Sequence, residues 1–166
     1  IATWEDALLV GAGQVGETTV AGRSATDAYF NRDAQTRLSK ISETLPDGST
    51  RIVHRKGDLG WFDAEGRLWF CGRKSQRVKL DELTTLCTEQ VEPVFNTHPQ
   101  VLRSALVGIG MREAQTPVLV FELVPGSQAN PAEVADELRH VADGYVHTGR
   151  IRHFLHYPKP FPVNIR

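Results

Sequence analysis

The sequence lacks the charge surplus, the cysteines and the apolar runs that mark several common functions. Its 19 Lys+Arg balance 20 Asp+Glu for a formal net charge of −1. The basic excess that draws a protein to nucleic acid or an anionic membrane is therefore missing. No stretch approaches the roughly 20 consecutive apolar residues of a membrane-spanning helix, and the start does not read as a secretory signal. Cysteine is scarce. Cys71 and Cys87 lie in apolar or helix-like surroundings, too few for a disulfide framework, which implies buried thiols, a reducing compartment and a cytoplasmic location. Metal-ligand spacing is also missing. His153 and His156, three apart in a strand, point to opposite faces. His140 and His147 have no Cys or carboxylate to complete a site, and none of these four is expected to hold metal.

What is present is an ordinary globular composition, 40% hydrophobic and 23% charged, over 166 residues. That length suits one domain or two small ones. The chain opens at Ile1 without Met and closes on "PVNIR" with no finishing element, as expected of a piece of a longer protein.

Near the start, Gly11-Ala12-Gly13-Gln14-Val15-Gly16 is a literal G-x-G-x-x-G. A dinucleotide turn requires a strand before it, a helix beginning on the last glycine and an acid closing a second strand about 20 residues on. Leu8-Leu9-Val10 could be the strand. After Gly16, however, comes Glu17-Thr18-Thr19-Val20-Ala21, which is β-branched and strand-like. Asp33 stands too close for a helix and a strand to precede it. The stretch reads as a glycine-rich turn between two strands.

Residues 1–73 read as strands and turns. "DAYFNRDAQTRLSK" is a loop with a helical turn or two, and Pro46-Asp47-Gly48 precedes a strand at Arg51–His54. The clearest unit is "GDLGWFDAEGRLWFCGR", where Asp63-Ala64-Glu65-Gly66 has type I turn chemistry between Trp61-Phe62 and Arg67–Cys71. Folding about that turn brings Asp58 level with Cys71 and Gly72, so Asp58 and Arg73 emerge together at the open end of the hairpin. A carboxylate there can accept from both hydroxyls of a ribose, and a guanidinium can bond the sugar or its phosphate. The same pair also fits a surface ion pair or a turn-capping Asp.

Beyond Arg73 the chain is a charged linker with a short strand carrying Val78 and Leu80, Lys79 pointing off it. Val91, Val94, Phe95 and His98 then mark an amphipathic helix, with Pro93 expected in its first turn. Val101–Ile109 and Pro117–Val124 are strands, Pro117 suiting the start of a strand or an edge. Asn130-Pro131-Ala132-Glu133 caps a helix whose apolar face runs through Val134, Leu138, Val141 and Tyr145. Ile151–Leu155 is a last strand, and the proline-rich tail cannot be helical.

Three segments resemble the adenylate-forming enzymes, the superfamily of acyl-CoA synthetases, peptide-synthetase adenylation domains and luciferases. "GETTVAGRSATDAYFNRDAQTR" is similar to the family's G-E-x-x-V-x-G…G-Y-x-N-R-P-x-x-T. "KGDLGWFDAEGRLWFCGR" is similar to T-G-D-L-G-x-x-D-x-x-G-x-x-x-x-x-G-R, and "GRKSQRVKL…TEQVE" to G-R-x-D-x-x-V-K…E-I-E. Together with "TLCTEQVEPVFNTHPQV" and "YPKPFPVNIR", the closer resemblance is to the β-lactone synthetases of bacterial olefin biosynthesis.

The resemblance implies an α+β chain. Residues 1–73 would be the final β-subdomain of a large adenylation domain, built of hairpins in a distorted barrel. Residues 74–76 would be a hinge and 77–166 a small α+β C-terminal lid domain, incomplete at its end. It implies ATP and Mg2+ as cofactors, with Asp58 on the ribose hydroxyls and Arg73 on the ribose and phosphate. Ser75 falls at the hinge, where the family has Asp or Lys. Lys56 replaces a Thr before Gly57-Asp58, and Glu82 replaces a glycine in the loop that thioester-forming members set near the thiol, a change that favours lactone formation. The catalytic lysine is expected beyond Arg166, so no catalytic residue lies on this chain, Lys159 is no substitute, and the piece alone should be inactive. The implied partners are ATP and AMP, a long-chain 2-alkyl-3-hydroxy acid and other enzymes of the olefin pathway. A long-chain acyl-CoA synthetase or acyl-AMP ligase is the alternative enzyme. A non-catalytic nucleotide-binding or interaction domain is the alternative outside enzymes.

Overall fold

A computed structural model describes residues 3–162. The chain divides into two compact units, Ile1–Ser75 and Gln76–Arg166.

The first unit is built on one long strand. Its elements are β1 (Gly16–Ala21), α1 (Asp33–Ser39), β2 (Lys40–Thr44), β3 (Thr50–Phe62) and β4 (Leu68–Arg73). β3 pairs antiparallel with all three other strands. β1 follows β3 from Val53 to Gly60, while β2 takes Thr50–His54 and β4 takes Asp58–Phe62. Because β1 spans the stretch between them, β2 and β4 share the opposite edge of β3. The expected distorted barrel is therefore not closed: among the described residues no pairing joins β1 to β2 or β4, and the four strands form an open sheet. Ile41, Val53, Leu59 and Cys71 are its buried apolar residues.

Between the β2 and β4 pairings, β3 leaves a gap at 55–57. There the Lys74 amide donates to the Gly57 carbonyl at 2.9 Å, and Gly57 adopts φ +70, a conformation that side chains disfavour. The gap explains why Arg51–His54 and Trp61-Phe62 read as separate strands: Lys56, Gly57 and Asp58 interrupt the apolar alternation although the backbone continues. Leu8–Val10 is not a strand. Asp6–Leu8 is a single 3-10 turn, and the first pairing is a bridge from Thr3 to Ser42.

The second unit contains β5 (Val78–Lys79), β6 (Thr85–Leu86), α2 (Thr88–Phe95), β7 (Val101–Met111), β8 (Ala114–Leu123), α3 (Pro131–Asp143) and β9 (His153–His156). β7 and β8 form a long hairpin, and β9 joins β8 in parallel. Val91 and Phe95 of α2 and Val134, Leu138 and Ala142 of α3 pack with Leu106, Leu119, Phe121 and Phe154 in one buried cluster. Phe95 and Phe154 meet edge to face at 5.7 Å. Burial of these five helix side chains, rather than helix propensity, holds elements this short.

Asn130 caps α3 as its sequence suggests, its side chain accepting from the Ala132 amide at 3.0 Å with Pro131 in the first turn. Tyr145 does not continue the buried face, because α3 stops at Asp143 and Tyr145 is half exposed. Pro93 also departs from expectation. Cys87 precedes the first residue of α2, so Pro93 lies inside the helix, not in its first turn. Pro117 pairs with Gly108, one residue before β9 begins pairing at Val118, so β8 is still an edge there. Residues 163–166, the end of "PVNIR", lie outside the described residues.

Candidate functional site

The hairpin that carries Asp58 and Arg73 is fixed at its closed end by Asp63. That carboxylate accepts from the Glu65 and Arg67 amides, the Arg67 guanidinium and the Trp69 indole, all within 2.7–3.0 Å. The Trp69 bond and then the Arg67 bonds outweigh partial burial and hold the Asp63 carboxyl below the usual carboxylate range. Gly66 takes φ +76 in the turn, and Trp61 stacks on Trp69 at 5.9 Å.

At the open end Asp58 and Arg73 are direct cross-strand partners. Simple folding about the turn would set Asp58 against Gly72. The register instead jumps between Leu59↔Gly72 and Gly60↔Phe70, leaving Cys71 as an extra, buried residue in β4. Arg73 Nη1 lies 2.7 Å from Asp58 Oδ1. The contact is close but not aligned as a hydrogen bond. Nη1 donates to the Lys56 carbonyl at 3.3 Å, and Oδ1, ion-paired to the same nitrogen, is a buried acceptor without a hydrogen bond. A buried acceptor left this way costs free energy unless a donor arrives. The Asp58 side chain is 22% exposed and Arg73 52%, so the pair is reachable.

Beside the pair lies a cavity of about 420 Å3. Its walls include Lys56 and Asp58, Glu17 and Thr18 from β1, Trp61 and Phe70 from the hairpin, and Gly11, Ala12 and Gln14. The Thr18 hydroxyl donates to the Asp58 carbonyl at 3.3 Å, which steadies the backbone under the carboxylate. The G-x-G-x-x-G stretch is a turn, with the Gln14 amide bonded to the Gly11 carbonyl and the Gly13 amide to Phe62. Its last glycine begins β1, not a helix.

The sequence reading missed Glu17 and Lys74. Glu17 is held by Arg55 and Lys74, each at 2.6 Å. Burial pushes its carboxyl up, but the two cations together bring it net below the ordinary range. This triad ties Lys74, the residue after Arg73, to β1. Its signal is weak in the sequence, because 57 positions separate Glu17 from Lys74 and the β1–β3 and β3–β4 pairings together bring them close. Ser75 is exposed in the turn 74–76 that follows. Lys79 bonds Glu113 through its ammonium, and its amide donates to Gln115 at 3.1 Å.

Among the described residues no group of three or more His, Cys, Asp or Glu converges as a metal site. The His147 ring faces the Gln90 carbonyl and the His140 ring faces Asp136. Burial raises the Cys71 thiol above its usual pKa, which opposes a nucleophilic role. No helix among the described residues is long and apolar enough to cross a membrane.

No family model matches the chain. It is 56% identical over 167 residues to an olefin β-lactone synthetase of Xanthomonas campestris pv. campestris. It is 54% identical over 166 residues to that of Stenotrophomonas maltophilia. All of this chain is covered in both, but only 30% of each relative, so the chain spans under a third of their length. Among solved structures, the o-succinylbenzoate coenzyme A synthetase of Bacillus subtilis in complex with AMP superimposes with a TM-score of 0.72 at 22% identity. That match covers 98% of this chain and 30% of the synthetase, and shows the fold.

Proposed function

Because the chain matches the C-terminal part of the olefin β-lactone synthetases over its whole length and carries the α+β fold of the C-terminal part of adenylate-forming enzymes, we propose that it is the C-terminal part of an ATP-dependent β-lactone synthetase. In the parent enzyme the carboxylate of a long-chain 2-alkyl-3-hydroxy acid attacks the α-phosphorus of ATP and expels pyrophosphate. The substrate's own 3-hydroxyl oxygen then attacks the acyl carbon, loses its proton and displaces AMP, closing a four-membered lactone. Mg2+ accompanies ATP and is held elsewhere in the parent. The enzyme works in the cytoplasm beside others of its pathway.

In this reading Asp58 receives the ribose hydroxyls. The observation that carries it is the buried Oδ1 of Asp58, an acceptor with no hydrogen bond beside a reachable cavity. Two vicinal hydroxyls supply the donors it lacks, and Arg73 stands where it can serve the same sugar or its phosphate. Residues 77–166 form the lid, and Ser75 lies in the turn about which the lid rotates. The chain alone does not adenylate, because the catalytic lysine and the phosphate loop are outside it.

The full-length parent incubated with ATP and a 3-hydroxy acid, without coenzyme A, should release AMP and pyrophosphate and form the lactone. A strict coenzyme A requirement with a thioester product would overturn lactone formation in favour of an acyl-CoA synthetase.

A further inference from the structure

The segment after β9 cannot join the sheet. In Tyr157-Pro158-Lys159-Pro160-Phe161-Pro162 every second residue is proline and has no N–H, so a regular ladder is impossible. The Tyr157 amide still bonds the Phe121 carbonyl at 2.8 Å. Beyond it the chain is held by side chains.

Those side chains are Arg103 and Glu122, cross-strand partners on β7 and β8. Glu122 is buried at 8% exposure. Its Oε2 accepts from Arg103 Nε at 2.8 Å and from the Phe161 amide at 3.0 Å. Arg103 Nη2 donates to the Phe161 carbonyl at 3.3 Å, and its guanidinium lies 5.2 Å from the Phe161 ring centre. Both backbone groups of one residue are thus gripped by one ion pair, and the ring is covered by the same cation. Tyr157 closes the other side of that ring at 5.4 Å. A pair that served the sheet alone would have no need to hold both backbone groups of a residue outside it.

We propose that Arg103 and Glu122 are positioning residues that fix the direction of the chain at Phe161. On the function proposed above, the lysine that serves adenylation follows this segment, so the clamp sets where that lysine can reach. The pair touches no substrate and acts only through the segment it holds.

The test uses the full-length parent protein. The peptide 158–162 contains only two amide hydrogens, on Lys159 and Phe161, so its hydrogen exchange reads the clamp directly. In Glu122→Ala, the Phe161 amide should exchange freely while the amides of Val120 and Phe121 keep their protection. Turnover in ATP–pyrophosphate exchange should fall on the order of 100-fold, as expected when a reacting group is misplaced by about an ångström, with KM for ATP nearly unchanged. Glu122→Gln, which keeps an acceptor for the amide, should restore most of the turnover. Should Glu122→Ala fail to fold, Arg103→Met removes the donors but keeps an apolar stem under Phe161, and the same loss of turnover is expected. Unchanged exchange at Phe161 in Glu122→Ala overturns the clamp, and undiminished turnover in Glu122→Ala, or in Arg103→Met where the former does not fold, overturns its positioning role. A wild-type parent that does not adenylate counts against the proposed function and leaves the exchange result to decide the clamp.

Discussion

Asp58 and Arg73 face each other across β3 and β4 because β4 carries one residue more than the regular ladder needs, the buried Cys71. The extra residue moves the partner of Asp58 from glycine to arginine. It brings the guanidinium within 2.7 Å of the carboxylate without the alignment that would satisfy Oδ1. The pair is held together with Oδ1 buried against the guanidinium, while the Asp58 side chain as a whole keeps partial exposure.

In the parent enzyme, Asp58→Ala should therefore weaken ATP binding sharply. A hydrogen bond to a charged group contributes about 1.5–3 kcal/mol, so loss of a single ribose bond corresponds to roughly a tenfold to hundredfold fall in affinity. Calorimetric titration with ATP measures it. Unchanged affinity would remove Asp58 from the nucleotide site.

Glu17 should make stability depend on pH. Burial raises its carboxyl, but the hydrogen bonds from Arg55 and Lys74 outweigh burial and leave its folded pKa below the ordinary glutamate value. A depressed folded pKa gives stability that is present above the unfolded pKa and disappears as pH falls through the folded one. Glu17→Gln should lower Tm at neutral pH, and the gap to wild type should close in acid, below the normal range of glutamate. A gap that stays constant down to the acid limit would show that the charge of Glu17 contributes nothing.

The local chemistry of this chain was legible where neighbours in sequence are neighbours in space. The Asp63–Gly66 turn, the Asn130 cap and the separation of the glycine stretch from any helix all follow from short spacings. What escaped was set by distance or by exceptions. β2 was invisible because its alternation is brief and is defined by pairing with Thr50–His54. The full length of β3 was hidden by Lys56-Gly57-Asp58, which break the apolar alternation although the backbone continues as strand. The bulge at Cys71 leaves no mark, because an extra apolar residue beside Gly72 looks like any strand end. The same holds for the Glu17 triad and for the Arg103–Glu122 grip on Phe161, which join residues far apart in the chain.

Two glycines of β3 should respond to substitution for different reasons. At Gly57 nothing lies within 4 Å of an added Cβ, but φ is +70, so Gly57→Ala carries only the left-handed backbone cost of about 1–2 kcal/mol. At Gly60 the backbone is ordinary, but a Cβ would stand 2.9 Å from the Trp69 carbonyl oxygen and 3.0 Å from Leu68. Gly60→Ala must therefore push the strands apart beside the bulge and disturb the Trp61–Trp69 stack. Near-ultraviolet circular dichroism should change for Gly60→Ala and stay native for Gly57→Ala, while urea denaturation shows a loss in both. A native tryptophan signal in Gly60→Ala would contradict the close approach.

Cys71 should be chemically silent in the folded protein. Its side chain is 1% exposed, and burial raises its pKa, so both access and thiolate fraction are low. Mass spectrometry after brief iodoacetamide treatment should find residue 71 unmodified under native conditions and modified in denaturant. Rapid native labelling would mean that the bulge opens readily.

Pro93 should be a site of stored cost in α2. Lying inside the helix, it supplies no N–H for the Glu89 carbonyl one turn earlier, and its ring crowds that carbonyl. Glu89 and Pro93 are both exposed, on the side of α2 away from the buried cluster. Proline in a helix interior is about 3 kcal/mol worse than alanine. Its restriction of the unfolded chain returns roughly 0.4–1 kcal/mol. Val91 and Phe95, either side of it, are fully buried and keep the element docked in both variants. Pro93→Ala should therefore stabilise the protein by on the order of 1–2 kcal/mol, read as a higher urea midpoint with an unchanged slope. A destabilised Pro93→Ala would mean that the proline ring contributes packing that outweighs the missing hydrogen bond.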